Sequence, residues 1–264
     1  MNEYGTFSWF GFSLPMVERA RLLHDAGYAA VMLWWGDEFR DYDGPKEEHP
    51  DIFRRANIRV ENVHLPYYGI NALWTDTIDG AEQLSRLLSC IDTCGAADIP
   101  VAVLHLTESD NAPAPNALGL DRLHRLVARA KERNVILAAE NLYNAIHLDF
   151  AFEQISSSAL SFCFDSGHAH CCGLNEKFLT RYDRPIAALH LHDNDGKSDQ
   201  HRLPFNGSVD WPLIMQTLRA RGYNGALTLE VDASFTDFRT DGTDWTAETY
   251  LAEGINRLRR LAEM

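Results

Sequence analysis

Two hydrophobic patterns alternate along the chain. The first is a short, nearly continuous apolar run, which is how a strand buried on both faces reads. Such runs fall at Phe7 to Phe12, Ala29 to Trp35, Ile58 to His64, Pro100 to His105, Val135 to Glu140, Leu160 to Asp165, Ile186 to His190 and Gly225 to Glu230. The second is a longer stretch with apolar residues at helical spacing. Leu84, Leu87, Leu88 and Ile91 show it in a helix predicted from Thr77 to Cys94. Further helices are predicted from a Ser13 cap, with Pro15 in the first turn, to a stop at Gly27; from Pro45 to Ala56; from Leu118 to Arg133; from Asp210 to Arg221; and from Trp245 to Leu261. The loop from Thr107 to Asn116 carries two prolines and is long for a connection, so it is expected to fold over a site.

About eight strands alternating with helices, in a chain of 264 residues, predict an α/β fold: a single (β/α)8 TIM barrel over residues 1–264, with no linker. An open doubly wound sheet is the competing architecture. It is disfavoured because no glycine-rich phosphate loop follows the first strand. In a barrel the C-terminal ends of the strands converge on one face, and that face carries the site.

Composition narrows the function. The formal net charge is -14, from 38 acidic and 24 basic residues, and only Lys46, Lys131, Lys177 and Lys197 are lysines. That balance favours solubility and argues against a broad nucleic-acid surface. No apolar stretch approaches the roughly 20 residues of a membrane span, and the N-terminus does not read as a signal peptide. A cytoplasmic protein without a membrane partner is expected. The five cysteines include no C-x-x-C pair and read as reduced thiols; ligation of a soft metal by Cys171 or Cys172 is the alternative.

The candidate chemistry sits at the strand ends. Six of the proposed strands finish on His64, His105, Glu140, Asp165, His190 and Glu230, with His168 just beyond the sixth. The loop after the seventh strand adds Asp199 and His201, which can reach over the same mouth. One such residue would read as an ordinary hydrogen-bonded side chain. The joint pattern reads as a divalent metal site, because mixed imidazole and carboxylate ligands suit Zn, Mn, Fe or Co. His192 is expected to face the other side of its strand from His190 and to pack or support. Asp193 and Asp195 are read as caps of the loop as readily as ligands. Trp34, Trp35, Trp74 and Tyr67 lie at or near strand ends; packing is the default for each, and a stacking wall for a sugar or a base is the functional alternative. Trp35, Tyr67 and Arg202 are carried forward as candidate substrate contacts.

Glu140-Asn141, the run from Phe164 to His168, the run from His190 to Asp193 and Leu229-Glu230 together resemble the xylose isomerase-like TIM-barrel superfamily over essentially the whole chain. That group holds sugar and sugar-phosphate isomerases and epimerases, inosose dehydratase-like proteins, and the endonuclease IV family of AP endonucleases. The resemblance implies one divalent cation, Mn, Mg, Co or Zn, held by Glu140, Asp165, His190 and Glu230, and no organic cofactor. It implies that Glu140 and Glu230 move a proton through a metal-stabilised enediolate, and that His168 contacts substrate. The expected function is thus a metal-dependent isomerase or epimerase of a small sugar or sugar phosphate. The alternatives are an inosose dehydratase-like lyase and an endonuclease IV-like phosphodiesterase acting on abasic DNA. For the last, the resemblance implies three zinc ions: one on His64, His105 and Glu140; one on Glu140, Asp165, His190 and Glu230; one on His168, Asp199 and His201. The run from Asp193 to Trp211 and the turn from Gly222 to Gly225 resemble the sugar isomerase branch more closely, and the loop from Trp35 to Arg40 is acidic where a DNA-binding loop would be basic. A non-catalytic sugar-binding barrel has no need of so many ligand-type residues. Exposed barrel helices leave room for a homo-oligomer.

Overall fold

Strands that are apolar on both faces must be covered on both faces, and a closed ring of them under helices achieves this. The computed structural model describes residues 3–108, 111–173, 175–234 and 245–264, with only the backbone at 175 and 176. The strands are β1 (Tyr4–Phe7), β2 (Ala30–Trp34), β3 (Arg59–His64), β4 (Val101–Leu104), β5 (Ile136–Glu140), β6 (Leu160–Asp165), β7 (Ile186–His190) and β8 (Leu227–Leu229). The helices are α1 (Met16–Ala26), α2 (Arg40–Asp43), α3 (His49–Arg55), α4 (Ile78–Ala96), α5 (Ala117–Glu132), α6 (Ile146–Gln154), α7 (Ser166–Cys171), α8 (Asn175–Arg181), α9 (Trp211–Ala220) and α10 (Ala247–Glu263). All eight strands are parallel, in the order β7-β6-β5-β4-β3-β2-β1-β8. A single bridge, Leu191 to Leu229, joins β7 to β8 and closes the ring into a TIM barrel. No helix among the described residues is long and apolar enough to cross a membrane.

The helix-to-strand corners repeat one device. Gly27, Asn57, Asp98, Asn134 and Gly222 all take left-handed backbone just after a helix. Glycine adopts that conformation without strain, and asparagine and aspartate tolerate it better than most residues. Inside the barrel, Val103, Ala138, Cys163 and Ala188 form a small floor of fully buried side chains. Outside it, the other strand faces pack beneath the helices.

Several predicted boundaries move. The run from Phe7 to Phe12 is mostly loop, because the strand ends at Phe7. Its apolarity serves packing: Phe10 is fully buried, and Phe12 lies 5.9 Å from the Tyr250 ring of α10. Ser13 does not cap α1. Pro15 holds that position, and the Ser13 hydroxyl meets that of Tyr42. The segment from Pro45 to Ala56 splits, since Pro50 starts α3 afresh after a 3-10 turn at Lys46–Glu48. Helices α2, α6, α7 and α8 were not predicted. In α6 the apolar residues Ile146, Leu148, Phe150, Ala151 and Phe152 form no single stripe, and Ile146 is exposed. Ser109 and Asp110, in the loop expected to cover the mouth, lie outside the described residues.

Glu61 falls at an irregularity in the β2–β3 register, between the pairs Val31–Val60 and Met32–Asn62. Its carboxylate is buried and accepts a hydrogen bond from the Thr228 hydroxyl across the barrel. Burial pushes its pKa above the ordinary 4.5. A raised carboxyl pKa means that stability is full below about 4.5 and falls as pH rises through the folded value. Glu61→Gln keeps the acceptor and removes the charge. It should therefore be more stable than the parent at pH 8, with the difference fading towards pH 4. Thermal melts across that range check the sign; a variant less stable at pH 8 would refute it.

Candidate functional site

Glu140 is the centre of the polar cluster. It closes β5, is almost fully buried, and is surrounded by imidazoles. Its Oε2 lies 3.4 Å from His64 Nε2, 3.2 Å from His105 Nε2 and 3.3 Å from His190 Nδ1, while Oε1 lies 3.3 Å from His168 Nδ1. Strand ends deliver these groups together: His64 closes β3, Asp165 closes β6 and His190 closes β7. Glu230 follows β8 and brings Oε2 to 3.2 Å from His190 Nδ1.

Backbone carbonyls fix the tautomers of three rings. His64 Nδ1 faces the Leu65 carbonyl at 2.8 Å, His168 Nδ1 faces that of Asn141 at 3.1 Å, and His201 Nδ1 faces that of Glu230 at 2.9 Å. A carbonyl only accepts, so each Nδ1 carries a hydrogen and each Nε2 is aimed into the site. His168 Nε2 and His201 Nε2 both meet Asp199 Oδ2, at 3.3 and 3.1 Å.

His192 belongs to this cluster, contrary to the expectation that it faces away. Residues two apart on extended chain share a face, so His192 points the same way as His190. Its Nε2 lies 3.1 Å from both oxygens of Asp165, and its ring stacks on His201 at 4.2 Å. Asp165 also caps α7, accepting from the His168 amide at 2.6 Å. Gly167 makes room: a Cβ there would fall 1.9 Å from His192 Cε1.

The cluster sets buried carboxylates against imidazoles. Burial alone would raise Glu140, yet His190 and His105 hold it well below the usual carboxylate range. Burial opposes charge on His168 and His190 too, but Asp165, Asp199 and Glu140 hold His168, and Cys163, Glu230 and Glu140 hold His190, well above an ordinary imidazole. His201 is raised to about 10 against burial, chiefly by Asp199. Both oxygens of Glu140 and both ring nitrogens of His190 nevertheless lack hydrogen-bond geometry to any described residue. Buried polar atoms are rarely left so. Donor atoms of Glu140, Asp165, His190 and Glu230 lie within 4.8 Å of one another, as do those of His64, Glu140 and His190, and those of His192, His201 and Glu230. This donor set, rich in carboxylate oxygen with imidazole, fits a divalent cation.

Asp193 carries the loop. It is fully buried, and its carboxylate accepts from the amides of Asn194, Phe205 and Val209 and from Trp211 Nε1. Two residues of this loop, His201 (φ 43°) and Phe205 (φ 73°), have left-handed backbone that non-glycine residues rarely adopt. The hydrogen bonds of Asp193 and Glu230 hold them there.

A cavity of about 650 Å³ opens beside the cluster, lined by His64, His201 and Glu230 and walled by aromatic rings. Tyr67 lies in that wall and stacks on His105 at 4.7 Å. Trp35 does not. It is fully buried on the outer side of β2, and its Nε1 donates to Thr93 Oγ1 and the Cys90 carbonyl of α4. Alternation along the strand sends Trp34 to the inner face instead, stacked on His64 at 5.5 Å. Arg202 is not part of the lining; its guanidinium donates to the Asn206 carbonyl, and its backbone pairs with Asp193. Cys171 and Cys172 stand outside every donor group, and Cys172 Sγ donates to the Tyr143 carbonyl. Trp9, Arg19, Asp43 and Asp232 also line the cavity and escaped the sequence reading. Trp9 and Asp232 sit in loops, Arg19 on the side of α1 and Asp43 at the end of the one-turn α2, where no periodicity marks them.

Fold and site together define an α/β barrel with its polar centre at the C-terminal strand ends. The chain belongs to the xylose isomerase-like TIM barrel family, whose family model matches residues 20–261. An uncharacterized protein of Sinorhizobium fredii, y4fM, is 32% identical over 154 residues, or 53% of this chain and 50% of that one. The chain spans no more than half the length of the curated relatives it matches. Among solved structures, a D-tagatose 3-epimerase-like protein superposes with a TM-score of 0.76 at 16% identity, covering 99% of this chain and 97% of that one. A D-psicose 3-epimerase from Clostridium cellulolyticum, solved with D-tagatose, gives 0.75 at 13% identity, covering 98% and 99%. At such identities these likenesses speak for the fold.

Proposed function

We propose that the protein is a divalent-metal-dependent isomerase or epimerase of a small polyhydroxylated carbonyl compound. The observation that carries this reading is the convergence of Glu140 and Glu230, from different strands, on one nitrogen of His190 beside an open cavity. Glu140, Asp165, His190 and Glu230 would hold Mn, Mg, Co or Zn. When bound, the cation polarises a carbonyl and its neighbouring hydroxyl and so acidifies the hydrogen between them.

The chain's own groups do the rest. Both glutamates start ionised, because imidazoles hold each below its ordinary pKa against burial. One removes the proton, while the other takes up a proton from water in the cavity and delivers it to the substrate, so that solvent supplies the proton returned. Their surroundings differ: Glu140 is buried among four imidazoles, whereas Glu230 lines the cavity. His168, its Nδ1 held by the Asn141 carbonyl, is the proposed hydrogen-bond partner of a substrate oxygen through Nε2, which would exchange Asp199 for the substrate. Two structural neighbours, a D-tagatose 3-epimerase-like protein and a D-psicose 3-epimerase solved with D-tagatose, take their names from sugars of the same chemical class.

The test is solvent exchange. Protein supplied with manganese and incubated with free ketoses in deuterium oxide should place deuterium on the carbon next to the carbonyl, detected by NMR, and chelation should stop it. A second reading, a multi-zinc phosphodiesterase, is favoured by one observation: the additional donor groups around His64 and His201. About three zinc ions per chain, with cleavage at abasic DNA and no exchange, would establish that reading instead. Loss of water from an inositol-like ring would point to a lyase using the same glutamates.

A further inference from the structure

The cavity extends well beyond the ligand cluster. Its walls lead outward on two sides. From His64 the stack passes to Trp34 at 5.5 Å and on to Phe39 and Tyr68, each 5.9 Å from Trp34. On the Glu230 side, Asp232 also lines the cavity and accepts from Trp9 Nε1 at 2.8 Å, and Arg19 lies 5.2 Å over the Trp9 ring. Phe39, Tyr42 and Tyr68 stay 47%, 71% and 50% exposed around the mouth. Cavities of about 300–1,000 Å³ take ligands of drug size, so 650 Å³ has room for more than a lone six-carbon sugar.

Charge restricts what can fill the outer part. Among the described lining residues the cationic groups are Arg19 and His201, and each already faces a carboxylate. Arg19 donates both terminal nitrogens to Asp43, at 2.8 and 3.3 Å, and His201 faces Asp199. Glu230, Asp232 and Asp43 line the same space. A phosphate would meet net negative charge there, whereas a ring with an apolar face would meet aromatic planes.

We infer that the substrate is an unphosphorylated carbonyl compound extended by a neutral ring substituent, which stacks on Trp9, Phe39, Tyr42 and Tyr68 while the reacting end lies at Glu230. The assignment of the reacting end rests on the proposed function; the outer subsite does not. An aryl ring and a second sugar ring share the required chemistry, and the probes separate them.

Calorimetric titration of the full chain, supplied with manganese, should use glucose, glucose 6-phosphate, phenyl β-D-glucoside and cellobiose. The expected result is binding of phenyl glucoside or cellobiose at least tenfold tighter than glucose, with the tighter of the two naming the ring. Glucose 6-phosphate should bind no better than glucose. The double variant Phe39→Ala, Tyr42→Ala changes exposed side chains, so its melting temperature should hold while the tenfold preference collapses to twofold or less. Glucose 6-phosphate binding tightest, equal binding of all four, or a preference untouched by the double variant would overturn the inference. A ring preference in a protein that exchanges no deuterium would support the subsite and sink only the proposed reaction. Deuterium exchange into ketoses with tightest binding of glucose 6-phosphate would sink only the subsite.

Discussion

Glu140→Gln should abolish turnover and the response to metal together. The carboxylate touches four imidazoles, and both of its oxygens lack hydrogen-bond geometry to described residues. Glutamine keeps the shape but replaces one oxygen by a donor and removes the charge that a cation would meet. The proton-transfer role alone accounts for roughly 10²–10⁴-fold in rate, and the lost ligand adds to it. The metal response is a separate readout. A cation at a hundred times its dissociation constant stabilises the fold by about 2.7 kcal/mol, or about 5 °C in a chain of this size. The parent should show that shift on adding manganese, and Glu140→Gln should not. A variant with full activity, or with an undiminished shift, would remove Glu140 from its place in the mechanism.

Asp193→Ala should be the most damaging change away from the proposed metal ligands. One buried carboxylate satisfies three backbone amides and the Trp211 indole. Alanine leaves all four donors unpaired, at about 1–3 kcal/mol each before relaxation. Some will find water, so a net loss of about 3–5 kcal/mol is expected, near the upper limit for single substitutions. The same bonds hold Phe205 in left-handed backbone and anchor the loop that carries Asp199 and His201. Activity should therefore fall even at temperatures where the barrel stays folded. Thermal melts and assays at low temperature check both parts; a melting point within about 2 °C of the parent would show that the loop is held by other contacts.

Sequence alone gave a good view of the central site because strand ends are easy to see. Each of β5, β6 and β7 ends on its candidate ligand at the predicted residue: Glu140, Asp165 and His190. A buried apolar run that stops on a polar residue marks the mouth without knowledge of neighbours. Orientation was harder. Trp34 and Trp35 are chemically alike, and only strand register, which pairs Trp34 with His64, decides which one faces the cavity. The outer wall was invisible for a different reason. Trp9 and Asp232 meet across 223 positions of sequence, in loops whose course no local pattern specifies. Phe10 and Phe12 misled because an apolar loop packed on a helix reads like a strand.

The joint between β7 and β8 gives the ligand set a second meaning. Elsewhere neighbouring strands share a ladder, but here the described pairing is the bridge at Leu191 and Leu229, with the Leu191 amide donating to the Thr228 carbonyl and the Glu230 amide to that of Leu191. His190 stands on one side of this seam and Glu230 on the other. A cation held by both, as proposed, would be a clasp across this lightly fastened edge of the ring. An open seam would separate these two side chains, so closure of the ring and assembly of the proposed ligand set are one event in space.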